Sequence, residues 1–208
     1  MTPDLDTEMA AARRVFDAKG LAAVRGLSRL GLTQPQPVYT GTAAFHRLGL
    51  MGIVCNASGL YEPAAEADPA HAESWSDGAL ALIVPVLDYT DSLIDLIAWR
   101  SLSPDQFWQR TGFAPLLGET YIGWCLWNDK PVHLHRSPPH WLAAAGFGAV
   151  VLDWQSPEAH GLLLQASAVE IDQGDEEFAT FVYRWLRRKR RYPQIFFSPL
   201  EIIEGGAA

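Results

Sequence analysis

Two histidines set two residues apart, His133 and His135, are the first side chains in this sequence whose type and spacing suggest chemistry. They lie in Val132-His133-Leu134-His135-Arg136, an alternating run that reads as a strand, so both imidazoles face one side of it. His140 follows within a short turn, and Asp153 ends the next apolar run. Imidazole and carboxylate are ligand types for zinc, iron and manganese. His133, His135, His140 and Asp153 are therefore the candidate ligands of a metal-dependent hydrolase. Against that, alternating histidines on the wet face of a sheet need no metal, and the neighbouring Arg136 opposes a cation. The favoured expectation is that this strand holds no tightly bound metal and that the protein uses no cofactor.

The second candidate is a charge cluster. Arg184, Arg187, Arg188, Lys189, Arg190 and Arg191 supply six of the 16 basic side chains, although the whole chain carries a net charge of −8. That overall charge does not favour nonspecific attraction to nucleic acid. The cluster ends a helical pattern, and one or two cations suffice to complement a helix C-terminus. Six basic residues with Trp185 and Tyr192 among them exceed that need. Arginine with aromatic neighbours suits phosphate backbones and stacked bases, and an acidic protein surface would satisfy the same side chains. Nucleic acid or an acidic protein is thus the expected partner.

Other reactive types offer less. Cys55 and Cys125 make neither a disulfide framework nor a zinc-finger spacing, so both are expected to be reduced and unpaired. Cys125, between Trp124 and Trp127, reads as a buried, inert thiol; Cys55, next to Asn56, reads as the more exposed of the two. The glycines at 41, 49, 52 and 59 match no phosphate-binding loop. The acidic N-terminus lacks the apolar stretch of a secretory signal, and no apolar run reaches the length of a membrane span. A cytoplasmic location without membrane contact is the expectation.

These residues need elements to position them. Residues 4–19 read as a helix stopped by Gly20, with a second helix over 21–30. Short strands are expected at Val38-Tyr39 and Ile53-Val54-Cys55, and a polar loop over 62–78. The apolar runs 82–87 and 93–99, joined by Asp88-Tyr89-Thr90-Asp91-Ser92, predict a β-hairpin. Pro85 places its strand at an edge or a bulge. Ser103-Pro104-Asp105 predicts a helix running to Arg110 and ended by Gly112. A strand at 132–136, a helix capped by Ser137 and stopped by Gly146, and a strand at 149–154 follow. So short a crossover suggests a mixed sheet. Residues 162–172 suggest another strand, and 175–191 a helix with Phe178, Phe181, Val182 and Trp185 on one face.

Two stretches carry a resemblance. One runs from Asp95-Leu96-Ile97-Ala98-Trp99 through Phe107-Trp108-Gln109-Arg110-Thr111-Gly112 to Leu117-Gly118. The other runs from Leu134-His135-Arg136-Ser137-Pro138 through Trp141-Leu142 to Gly148-Ala149-Val150-Val151-Leu152-Asp153-Trp154. Together they resemble proteobacterial phage and prophage proteins of no established activity, encoded near replication genes. The likeness spans roughly residues 80–155. A more distant likeness is to the Toprim region of phage-type primases, which a similar hairpin often precedes. A working Toprim site would need a glutamate after one strand and Asp-x-Asp after another to hold magnesium. Here Trp154 and Gln155 follow Asp153, so the resemblance implies the scaffold without its catalytic acids.

The expected fold is α/β (α+β): one domain over 1–208 with a mixed or antiparallel sheet flanked by helices, and residues 1–31 as a helical N-terminal extension. The expected function is a non-enzymatic accessory protein of a phage or mobile element. It would bind nucleic acid or a replication partner through the basic helix. The alternatives are the metal-dependent hydrolase and a structural or assembly protein.

Overall fold

The computed structural model describes residues 3–19, 48–64, 80–99 and 106–188. The expected helix at 21–30, the strand at Val38-Tyr39, most of the 62–78 loop, and Lys189, Arg190 and Arg191 lie outside the described residues. What is described is an α/β fold of helices with antiparallel and mixed strand pairings.

The hairpin forms as its sequence predicts: β4 (Ala81–Leu87) pairs antiparallel with β5 (Leu93–Trp99). Its turn is organised by Asp88, whose Oδ1 accepts the backbone N–H groups of Thr90 and Ser92 at 2.7 and 3.0 Å. A strand's side chains alternate between two faces, and here both faces are covered. Leu82, Val84 and Val86 pack with Ile97 and Trp99 in one core; Ala81 and Ile83 pack with Leu96 and Ala98 in another. Two-sided burial explains why these runs are continuously apolar instead of alternating.

On one side β1 (Gly49–Met51) pairs with Ala81–Ile83. It ends short of Pro85, beside which, among the described residues, only β5 is paired, and the register shifts between Val86 and Leu87. On the other side β6 (Phe107–Gln109) pairs antiparallel with Ile97–Trp99, completing the order β1-β4-β5-β6. The expected helix through Arg110 is therefore corrected: residues 107–109 are a strand. The free edge of β5 offers a row of backbone partners that local helix propensity cannot see. The hairpin of β2 (Ile53–Cys55) and β3 (Tyr61–Pro63) joins β6 through a bridge between Leu60 and Gln109.

The first helix, α1 (Leu5–Lys19), lies against this sheet. Ala12 is buried against β1, and Val15 and Phe16 reach the core of Trp99. Glu8 grips Arg110 in a largely buried two-pronged ion pair, with Arg110 Nε 2.8 Å from Oε2 and Nη2 2.8 Å from Oε1. The N-terminal helix is thereby tied to the chain that follows β6.

The second layer begins with β7 (Leu116–Leu117) and α2 (Glu119–Trp127), then β8 (Val132–Leu134) and α3 (Pro138–Ala143), and then β9 (Val150–Val151). It ends with α4 (Pro157–Leu163), β10 (Val169–Ile171) and α5 (Glu176–Leu186). β7 pairs antiparallel with β9, and β8 pairs parallel with β10. A parallel bridge between Leu134 and Ala149 links the two pairs: Ala149 donates to His133 O and accepts from His135 N, both at 2.9 Å. The compact strand–helix–strand unit is thus a parallel crossover, and the antiparallel β7 makes the layer mixed. Leu134, Ala149, Val151, Phe178, Val182 and Trp185 share the core beneath it.

The helices α2 and α4 carry no signal that the sequence reading used, and the strand expected over 162–172 is confined to Val169–Ile171. The last helix stops at Leu186, with Arg187 as its C-cap, short of the expected end at 191. Among the described residues, no helix is long and apolar enough to cross a membrane.

Candidate functional site

The structure keeps half of the sequence-predicted ligand set together and replaces the other half. His133 and His135 lie side by side at the end of β8, with ring centroids 4.6 Å apart. The third member of the cluster is Asp172, just past β10. Parallel pairing sets Leu134 opposite Ile171, so the next residue on each strand, His135 and Asp172, also falls side by side. Asp172 Oδ1 stands 3.0 Å from His133 Nε2, and Oδ2 stands 3.5 Å from His135 Nδ1. Carboxyl ends of parallel strands are where α/β sheets receive ligands.

His140 and Asp153 are placed elsewhere. His140 Nδ1 pairs with Ser137 Oγ at 2.7 Å, which leaves the Ser137 side chain out of helix capping. Asp153 Oδ1 accepts the backbone N–H of Gln155 at 2.8 Å. Neither belongs to the cluster. Arg136, the cation expected to oppose a metal, lies past the end of β8 and pairs with two other carboxylates. Its Nε is 3.3 Å from Asp175 Oδ2 and its Nη2 is 3.1 Å from Glu177 Oε2.

The two histidines differ in environment. His135 is 4% exposed, and its Nε2 lies 2.8 Å from Phe147 O. A carbonyl only accepts, so Nε2 carries a proton, and in the neutral ring Nδ1 then presents a lone pair. That Nδ1 is buried without a hydrogen bond. Burial holds the imidazole below the ordinary histidine pKa, which favours this neutral form. Gly148 makes the arrangement possible: at φ +91° its backbone passes so close that an added Cβ would stand 2.6 Å from His135 Nε2. Asp172 could have been sought as a further carboxylate at a strand end. Only the parallel pairing of β8 with β10 singles it out.

The basic cluster is described as far as Arg188. Helix α5 begins at Asp175, whose side chain accepts the Phe178 N–H at 3.3 Å, and it buries Phe178, Val182 and Trp185. Trp185 Nε1 donates to Trp154 O at 2.7 Å, and His160 Nε2 lies 3.2 Å from Trp185 O, which fixes the helix's rotation. Arg184, Arg187 and Arg188 consequently face outward, beside the exposed Phe181 and Tyr183. The Arg187 guanidinium lies over the Tyr183 ring, 5.2 Å from its centroid. Arg184, Arg188 and Phe181 line a shallow groove whose far end carries Glu176 and Glu177.

The remaining sequence candidates resolve plainly. Both cysteines are free and buried; Cys55, at 5% exposed against 0% for Cys125, is the more exposed only by a small margin. Burial pushes the Cys125 thiol up, away from the reactive thiolate. Among the described residues, Glu119 and Asp153 do not come together as the acids of a Toprim site would. Glu119 follows β7 beyond the Leu117–Val150 pair, whereas Asp153 follows β9 beyond the Leu116–Val151 pair. Because β7 and β9 are antiparallel, the two acids leave opposite ends of the pairing.

No protein-family model matches the chain, and no curated protein matches it. Among solved structures it is similar to the crystal structure of the Aquifex aeolicus primase (zinc-binding and RNA polymerase domains). The match has a TM-score of 0.52 at 12% identity and covers 88% of this chain and 50% of that one. The chain therefore spans half the length of that neighbour, and the likeness at this identity is one of fold.

Proposed function

We propose that this chain is a non-catalytic, nucleic-acid-associated protein of a mobile element's replication apparatus, contacting phosphates through the basic end of α5. The observation that carries the reading is the outward row of Arg184, Arg187 and Arg188 with Tyr183 among them. Guanidinium groups pair with phosphate oxygens, and an exposed aromatic ring offers a stacking surface for a base. Two further features support it: the fold shared with a primase structure, and the sequence likeness of residues 80–155 to phage and prophage proteins encoded near replication genes. The strand-end acids give no support to a primase-like reaction, since Glu119 and Asp153 sit at opposite ends of β7 and β9.

The test is binding of the full chain to labelled single- and double-stranded DNA and RNA across a salt series. Phosphate contacts make affinity fall with salt; about four contacts give a log–log slope of roughly −3 to −4. Sequence preference should be slight, because phosphate contacts position a protein without reading bases. Absence of binding to every one of these probes at about 50 mM salt, where such contacts are strongest, overturns the proposal.

A further inference from the structure

We infer that His133, His135 and Asp172 form a binding site for a divalent transition cation of the zinc class, independent of the nucleic-acid reading. The starting point is an unsatisfied buried nitrogen. His135 Nε2 lies 2.8 Å from the Phe147 carbonyl, and its buried Nδ1, which makes no hydrogen bond, stands 3.5 Å from Asp172 Oδ2. Asp172 is 57% exposed at its side chain, so a cation between the two would satisfy the buried nitrogen and meet the carboxylate from the solvent side. His133 Nε2, 3.0 Å from Asp172 Oδ1, adds a third donor atom to the same space.

The dimensions suit a small cation. Ligand atoms bound at about 2.0–2.1 Å in tetrahedral geometry stand roughly 3.3–3.4 Å apart. The separations of 3.0 and 3.5 Å are to the two different oxygens of Asp172, and one ligand atom from each residue falls within 4.8 Å of the others, so a bound cation would draw the three slightly together. Two imidazoles and one carboxylate favour zinc and its first-row neighbours over magnesium or calcium, which prefer all-oxygen sites. The outer contacts also fit, because a metal-bound histidine commonly donates its other N–H to a carbonyl or carboxylate, as His135 does to Phe147. Gly148 permits that contact by lacking a Cβ. The nearest cation in sequence, Arg136, is engaged by Asp175 and Glu177. Three protein ligands leave the remaining coordination positions to water.

The experiment uses the full chain, freed of any affinity tag, stripped with chelator and titrated calorimetrically with Zn2+, Co2+ and Mg2+. The expected result is one Zn2+ per chain with Kd below about 1 µM, a visible Co2+ spectrum of low coordination number, and no Mg2+ binding. Asp172→Asn and His133→Ala, both at partly exposed positions, should each weaken Zn2+ binding by at least about 10-fold. Circular dichroism should show both variants folded. His140→Ala and Asp153→Asn should leave affinity unchanged. Absence of Zn2+ binding up to about 50 µM overturns the inference. So does binding that survives both Asp172→Asn and His133→Ala, or that His140→Ala and Asp153→Asn abolish instead.

Discussion

Asp95 Oδ2 accepts the backbone N–H of Gly112 at 3.0 Å from the interior of β5, where Asp95 is 0% exposed. The same carboxylate receives the N–H groups of Leu96, Arg110 and Thr111 at 2.8, 3.1 and 2.9 Å. It thus holds the loop that carries the chain from β6 to β7, alongside Leu96 O of β5, which also takes the Arg110 N–H at 2.8 Å. Replacing Asp95 by Ala leaves the N–H groups of Leu96, Thr111 and Gly112 without this acceptor, each costing up to about 1–3 kcal/mol and less where water reaches the loop. The expected loss is on the order of 4 kcal/mol, seen as a fall of about 2 M in the urea midpoint at an m-value near 2 kcal/mol/M. A change within about 0.5 kcal/mol would show that the loop does not depend on this carboxylate.

The Glu8–Arg110 pair should behave as a coupled unit. Removing one partner leaves a largely buried charge uncompensated, so Glu8→Gln or Arg110→Met should each destabilise by about 2–4 kcal/mol. The double variant Glu8→Leu/Arg110→Met should recover part of that loss, because the orphaned charge is gone. A double-mutant cycle by chemical denaturation measures the coupling. Strictly additive effects would mean that α1 is held by its apolar face alone.

Cys55 and Cys125 belong to different cores, one with Tyr61 and Trp108, the other with Ile122 and Val132. Both should stay unpaired and resist an aromatic disulfide reagent in the native state, then titrate as two thiols in denaturant. Burial that pushes the Cys125 thiol up works in the same direction by withholding the thiolate. Rapid modification of either native thiol would contradict this packing.

Changing Arg184, Arg187 and Arg188 together to Gln should lower nucleic-acid affinity about uniformly across sequences and reduce the salt slope by roughly 2 to 3. Stability should change little, since the helix is held by Phe178, Val182 and Trp185 on its other face. Unchanged affinity and slope in the variant would remove this part of α5 from the interface.

Much of this protein is determined by the sequence alone, wherever contacts are local or periodic. The hairpin of β4 and β5 follows from two apolar runs and an aspartate-rich turn, and the apolar face of α5 follows from Phe178, Val182 and Trp185 at helical spacing. The pairing of His133 with His135 needs only the two-residue period of a strand. Only the tertiary structure decides what lies further apart. Residues 107–109 look helical by their start signal and become a strand because β5 offers an edge. His140 and Asp153 are suitable ligands by type and proximity in sequence, yet each satisfies its own turn. Asp172 reaches His133 across 39 residues because β8 and β10 pair in parallel. A parallel pairing is set by crossover packing over a shared core, an energy that belongs to no single segment and leaves no local trace in the chain.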